Sequence, residues 1–468
     1  MSSTAALSPF RVELGATLRL AGPLAAANML QMAVYAIDVI FVARLGQEAL
    51  AASSLAVTLF SILMWGFTGV TGAAAPLIAA ELGRRRHAVR EVRRTMRMAL
   101  WLSVICGLIG MTVCAFAEEI LLATGQAPRV AERAGHFMDI LLWMCVPMIM
   151  ANVLRIFVST LGRPIFATLI TAFAIGVNAL GNYALVFGRL GAPALGLEGS
   201  AIASVTTAVV TVLAYVLAIR VDRRMRRYHI LGHWWRSEWK RLRQMVAIGT
   251  PIALTIVAEG GLFGGAAFLM GRIGEAQLAG HAIALQVAAF AFQVPLGIAQ
   301  AATIRVGFHY GAGYADGIAR AGKASLLAAL LFMAVPALAM IAIPRVILSA
   351  YVNVQAPENA VMVAFAVQYL AVAAAFQLFD GMQCVAAGAL RGLQDTRVPM
   401  VIAIAGYWLG GFAVAVALGF FTPLEGVGIW MGLAVGLVIV SALLLWRWRR
   451  RAHYRLVPAG ITVPLSRA

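Results

Sequence analysis

The chain has 468 residues, 62% of them hydrophobic and only 12% charged, with 37 Lys and Arg against 19 Asp and Glu for a formal net charge of +18. The charged share is far below the quarter usual in soluble domains, and the apolar content excludes intrinsic disorder. The basic excess invites a nucleic-acid reading, which competes with basic loops on the cytoplasmic side of a membrane protein.

A helix that crosses a bilayer needs about 20 apolar residues. Such runs recur twelve times between charge clusters, over residues 18–43, 52–80, 97–117, 136–160, 165–187, 199–219, 246–271, 277–303, 324–348, 360–388, 398–421 and 426–446. The sequence therefore predicts an all-α integral membrane protein with twelve transmembrane helices. The first run is too long for a signal-peptide core, so it is expected to persist as the first span. With both termini placed in the cytoplasm, 31 of the 37 basic residues fall on the inner side, with Arg155 counted in the loop after the fourth run. The outer six are Arg44, Arg129, Arg133, Arg189, Arg272 and Arg345. This asymmetry is a strong positive-inside signal and predicts a multi-pass protein of the cell inner membrane. The Arg-rich segments lack interleaved aromatics apart from Trp234, Trp235 and Trp239, which read as an interfacial belt, so no nucleic-acid partner is expected.

An internal repeat organises the spans. The segment ARLGQEALAASSLAV from Ala43 matches GRIGEAQLAGHAIAL from Gly271 at an offset of 228, which Pro23 and Pro251 share. LEGSAI at Leu197 aligns with LEGVGI at Leu424 at an offset of 227. Two homologous halves of six spans each make parallel repeats, related by an axis along the membrane normal. The organisation expected is an N-terminal arm over 1–17, a first lobe over 18–220, a basic linker over 221–244, a second lobe over 245–447 and a cytoplasmic tail over 448–468. The linker is read as solvated and close to anionic headgroups.

Only three acidic residues sit well inside spans: Asp38, Glu259 and Asp380. Carboxyls there are costly, about 2.5–3.5 kcal/mol each at a helix centre, and by default mark ion or substrate pathways. No Lys or Arg lies at comparable depth. Asn28, Gln31, Tyr35 and Asp38 follow one another at steps of three, four and three, a polar stripe on one face of the first helix. Gln286, Gln293 and Gln300 recur every seven residues in the eighth span. Gln377, Asp380 and Cys384 share a face of the tenth, with Gln383 beside them, and Asn178 and Asn182 are one turn apart in the fifth. Amides alone read as glue between helices, but stripes on spans that also carry acids point to a wet central cavity. Prolines within or at the ends of spans (Pro23, Pro76, Pro147, Pro251, Pro295 and Pro336) are candidate hinges. The four Cys have no metal-like spacing and read as small packing residues, and His281 reads as structural. There is no GxxxxGK[ST] phosphate loop and no HExxH, so neither ATP-driven pumping nor a zinc hydrolase is indicated.

The strings ARLGQEALAA, NYALVFG from Asn182 and QLFDGMQCVAAGALRGLQDTRVP from Gln377 resemble the MATE family, the multidrug and toxic compound extrusion transporters, and in particular its bacterial NorM-like branch. The resemblance covers essentially the whole chain. It implies two six-helix lobes in a V around a cavity, acting as a monomer, and export of organic cations and drugs in exchange for Na+ or H+. Asp38 falls where the family places its first-helix acid, and Glu259 and Asp380 where NorM-like members place the acids of the second lobe. On that basis Glu259 and Asp380 hold the coupling ion, Na+ included. Asp38 takes part in protonation or switching, and Gln31, Tyr35, Asn178, Asn182, Gln286, Gln293, Gln377 and Gln383 line the substrate cavity. No cofactor and no enzymatic step is expected. A lipid-linked oligosaccharide flippase of related architecture would need basic groups at mid-span. A membrane-embedded transferase would need acids clustered near one membrane face.

Overall fold

The computed structural model describes residues 8–85, 87–232 and 234–457. Twelve helices are long and apolar enough to cross a membrane. In chain order they are α1 (Pro9–Ala43), α2 (Gln47–Arg84), α3 (Ala88–Cys114), α4 (Pro128–Thr160), α5 (Ile165–Phe187), α6 (Leu197–Val221), α7 (Trp239–Ile273), α8 (Glu275–Gly311), α9 (Ala315–Ala342), α10 (Pro357–Gly392), α11 (Arg397–Phe420) and α12 (Glu425–Arg449). Each covers most of one of the apolar runs, which overshoot the ends of α3, α9 and α11 by three, six and one residues, and no strand occurs among the described residues. Several helices extend beyond the apolar run, because the charged residues at their ends continue the backbone hydrogen bonding outside the hydrocarbon region.

Some helices are interrupted. Within α2 a turn at Gly72 and Ala73 separates Gln47–Thr71 from Ala74–Arg84. Within α4 a tight 3₁₀ turn at Leu142–Met144 precedes Cys145–Thr160. Pro76 and Pro147 are each the third residue of the segment that restarts there. The first four amides of a helix have no intrahelical partner, so a proline's missing N–H loses nothing at such a place. Pro23, Pro251, Pro295 and Pro336 lie inside continuous helices instead.

Contacts divide the chain into two compact units. The first unit comprises Ala26–Glu81 and Arg85–Ala253, thus most of α1, α2 to α6 and the opening of α7. In it α5 packs along α6, and α3 along α4. The α3–α4 approach is so close that a methyl group on Gly107 would overlap Val146. Buried Phe60, Met64, Ile78, Met96, Leu100, Ile149 and Phe157 form much of the core. The connection into α7 leaves Arg223, Arg224, Arg226, Arg227 and Arg236 exposed, and it is also tied to α2 and α3. Glu238 accepts from Arg94 and Arg97, each at 2.6 Å, and Arg241 binds Glu81 at 3.1 Å and Glu91 at 2.5 Å. Trp101 donates to the Trp234 carbonyl at 2.9 Å, while Tyr228 and Ile230 are buried. The stretch folds back because a few carboxylates on α2, α3 and the connection itself neutralise part of its charge.

The second unit holds residues 8–25, 82–84 and 254–457 among those described. Its centre is the packing of α10 against α8, α9 and α12. Trp430 lies between Tyr369 and Phe376, with ring centroids 5.8 and 5.6 Å away, and His281 meets it edge-on at 5.5 Å. The start of α1 belongs here. Leu20 and Ala21 are buried with Ile298, Ala301 and Ala302 of α8, and Glu13 accepts two bonds of 2.7 Å from Arg305 beside His309 at 3.1 Å. Residues Ala405–Phe412 of α11 wind as a π-helix.

Candidate functional site

The three acids sit in two constellations, one per unit. In the first unit α1 brings Asp38 to α5 and α6. Asn178 and Asn182 both donate to Asp38 Oδ1, at 3.0 and 2.8 Å, and the Ser204 hydroxyl donates to Oδ2 at 3.1 Å. The two asparagines are fully buried and one turn apart, so their amides reach the same oxygen. Three neutral donors hold this carboxylate, and no cation lies within ion-pair distance of it among the described residues.

The far end of the stripe is different. Buried Asn28 accepts from Arg155 Nη1 at 3.2 Å, and Arg155 Nη2 donates to Asn152 at 3.2 Å. Arg155 therefore belongs to the interior face of α4 and not to a loop. Ten residues of helix, about 15 Å, separate Asn28 from Asp38 along α1, so the guanidinium leaves the carboxylate uncompensated. Between them, Gln31 is half-buried and Tyr35 is exposed, and neither is among the donors to Asp38.

In the second unit Glu259 of α7, Asp380 and Gln383 of α10 and Tyr407 of α11 form one chain of hydrogen bonds. Gln383 Nε2 donates to Glu259 Oε1 at 2.9 Å and to Asp380 Oδ1 at 3.2 Å. The Tyr407 hydroxyl donates to Gln383 Oε1 at 2.7 Å. Because Tyr407 occupies the amide oxygen, the amide nitrogen is turned toward both acids. Two acids from separate helices thus share one neutral donor. If both were charged they would repel at close range in a poorly solvated site, so a bound proton or cation relieves the pair. Gln377 lies one turn before Asp380, fully buried, with neither end of its amide hydrogen-bonded.

Not every candidate joins a constellation. Gln293 donates to the Ala289 carbonyl of its own helix at 3.1 Å, and Gln286 is exposed. Ser204 and Tyr407, in contrast, escaped the sequence reading. A tyrosine in an apolar span does carry a signal, since a buried phenol needs a partner. The hydroxyl of Ser204 carries none, because serines and threonines inside helices commonly bond their own backbone. Among the described residues no group of three or more His, Cys, Asp and Glu side chains is placed to hold a metal ion, and all four Cys are buried and free.

Comparison with known proteins identifies the family of the chain. The MatE family model matches residues 23–184 and 251–417, one match on each side of the linker. The chain is 43% identical over 442 residues to a probable multidrug resistance protein NorM of Mesorhizobium japonicum, covering 94% of this chain and 95% of that one. It is 42% identical to a protein of the same description from Brucella suis, over 96% of this chain and 95% of the other. Among solved structures, the eukaryotic MATE transporter AtDTX14 superposes with a TM-score of 0.83 at 19% identity, covering 96% of this chain and 99% of its own. A MATE crystallised in complex with MaL6 gives 0.85 at 19% identity, with 95% and 97% covered. The structures show the shared fold, and the family match and the curated relatives carry the assignment: this multi-pass membrane protein belongs to the MatE family.

Proposed function

We propose that the protein is a multidrug efflux antiporter of the cell inner membrane, with both termini cytoplasmic. It works as a monomer and exports organic cations and other toxic compounds in exchange for Na+ or H+. The observation that carries the reading is the Glu259–Gln383–Asp380 arrangement, two carboxyls on one neutral donor inside apolar helices. A proton, a Na+ ion or a cationic drug each neutralises such a pair, and competition among them couples the two fluxes. Asp38, held by three neutral donors, takes part in protonation or in switching. A ligand moves the inward–outward equilibrium only by its differential affinity for the two states, and ion occupancy at these acids supplies that difference. The names of the curated relatives, multidrug resistance proteins, support the substrate class.

The test is efflux of a fluorescent organic cation from everted vesicles, with Na+ and proton gradients imposed separately. Transport is expected to collapse in Asp38→Asn, Glu259→Gln and Asp380→Asn. Undiminished transport in all three variants would sink the proposal.

A further inference from the structure

A second kind of site lies in the second unit, away from the acids. A cavity of about 530 Å³ opens between α9, α10 and α12. Its polar rim is Lys323, Arg449 and Arg451, and its apolar wall includes Leu326, Leu327 and Leu330. The volume falls in the range of small-molecule sites.

The three cations are uncompensated. Two other basic residues of the unit have carboxylates, Arg447 on Asp395 at 2.6 Å and Arg305 on Glu13 at 2.7 Å, whereas Arg320 and Arg450 lie over the Tyr314 and Trp446 rings. Among the described residues no carboxylate lies within ion-pair distance of Lys323, Arg449 or Arg451. Aromatic rings and backbone hold two of them. The Arg451 guanidinium lies 4.6 Å over the Trp448 ring and donates to the Trp448 carbonyl at 2.9 Å, while the Lys323 ammonium is 5.6 Å from the Phe10 ring centroid. Trp448 itself packs against α9, where only a glycine at 322 leaves room for the indole.

The order of groups along α9 matches a lipid from head to tail. Successive spans alternate in direction, so the end of α12 and the start of α9 lie at the same membrane face, the one where basic residues accumulate. Lys323 is in the third turn of α9, level with Arg449 and Arg451 across the rim. A rise of 1.5 Å per residue puts Leu330 about 10 Å deeper. Half-exposed and exposed leucines at that depth suit acyl chains, and the cations suit phosphates. Basic pockets between helices at this level suit anionic headgroups.

We propose that this groove binds one anionic phospholipid, its phosphate held by Lys323, Arg449 and Arg451 and one acyl chain along Leu326, Leu327 and Leu330. Native mass spectrometry of the intact protein released from nanodiscs of equal parts dioleoyl phosphatidylglycerol and dioleoyl phosphatidylcholine tests it. The wild type should retain one phosphatidylglycerol in preference to phosphatidylcholine. The triple variant Lys323→Gln, Arg449→Gln, Arg451→Gln should lose retention by about a hundredfold, at roughly fivefold per cation. Arg220→Gln, Arg223→Gln, Arg224→Gln, a charge-matched change in the other unit, should retain it. If the triple variant aggregates, the three single variants should each lose about fivefold. Equal retention in the groove variants, no preference for the anionic lipid, or displacement by soluble glycerol phosphate would each overturn the assignment.

Discussion

Gln383 is the residue on which the second constellation turns. Its amide touches three partners from three helices, and only one orientation satisfies them all. Tyr407→Phe removes the donor that fixes this orientation and leaves a buried amide oxygen unpaired. Hydrogen bonds between membrane helices average about 0.6 kcal/mol and reach about 1.7, so a loss of about 1 kcal/mol is expected in equilibrium unfolding in mild detergent. Gln383→Leu should cost a similar amount, and the double variant less than the sum, because both changes remove one shared bond. Strictly additive losses would mean that Tyr407 does not orient Gln383. The acids and paired asparagines were legible in the sequence because charge and amides are scarce in apolar runs and their spacing fixes a helix face. Ser204 was not legible, because Thr171, Thr207 and Ser103 bond carbonyls four residues back on their own helices, and nothing local distinguishes it from them. Gln293 shows the converse: a polar residue in register with a stripe donates to a carbonyl of its own helix and not to an acid.

At the scale of elements, length and hydropathy sufficed to find all twelve helices, since the bilayer sets both. What they could not supply is how closely two helices approach. Gly428, Gly432 and Gly436 recur every fourth residue on α12, a small-residue pattern that an inventory of charge and polarity passes over. The structure uses it: added methyl groups at Gly432 and Gly436 would overlap the backbone of Ala415 and Gly411 on α11 and its π-helical stretch. That stretch was likewise hidden, since Gly406, Gly410 and Gly411 permit a wider winding without requiring it. Valine at 432 cannot be accommodated by a rotamer change, because it meets backbone. Gly432→Val should destabilise the second unit by about 2–3 kcal/mol, the usual range for overpacking, or prevent its folding. Gly264→Ala on α7, where nothing lies within 4 Å, should stay within about 0.5 kcal/mol of wild type. Thermal unfolding followed by size-exclusion chromatography separates the two cases, and equal melting of both variants would refute the close-contact reading.

At the scale of the whole molecule the repeat reaches into the boundaries of the units. The units divide between Ala25 and Ala26 on α1 and between Ala253 and Leu254 on α7, positions that obey the 228-residue offset of Pro23 and Pro251. Each unit thus includes the opening of a helix from the other sequence repeat. In the first unit the α7 opening is seated by Gly249 against the Val70 backbone and by Arg241 on Glu81 and Glu91. In the second unit the α1 opening supplies Glu13 to Arg305 and His309, and Gly297 lies against Ala25. A cut after residue 230 therefore cannot yield two self-sufficient halves. Fragment 1–230 lacks the helix opening whose Arg241 binds Glu81 and Glu91, and fragment 231–468 keeps Arg305 without its carboxylate. A half-buried guanidinium left unpaired is strongly destabilising, by about 3–5 kcal/mol when burial is complete and less here, where Arg305 is 23% exposed. Each fragment expressed alone should be degraded or aggregate, whereas co-expression should give a protease-resistant, monodisperse complex that restores cation efflux. Stable folding of either fragment alone, read by limited proteolysis and chromatography, would show that the exchanged helix openings are dispensable. The same comparison asks why duplication keeps twelve spans in one chain: a unit that draws a helix from each repeat holds both repeats together as they fold.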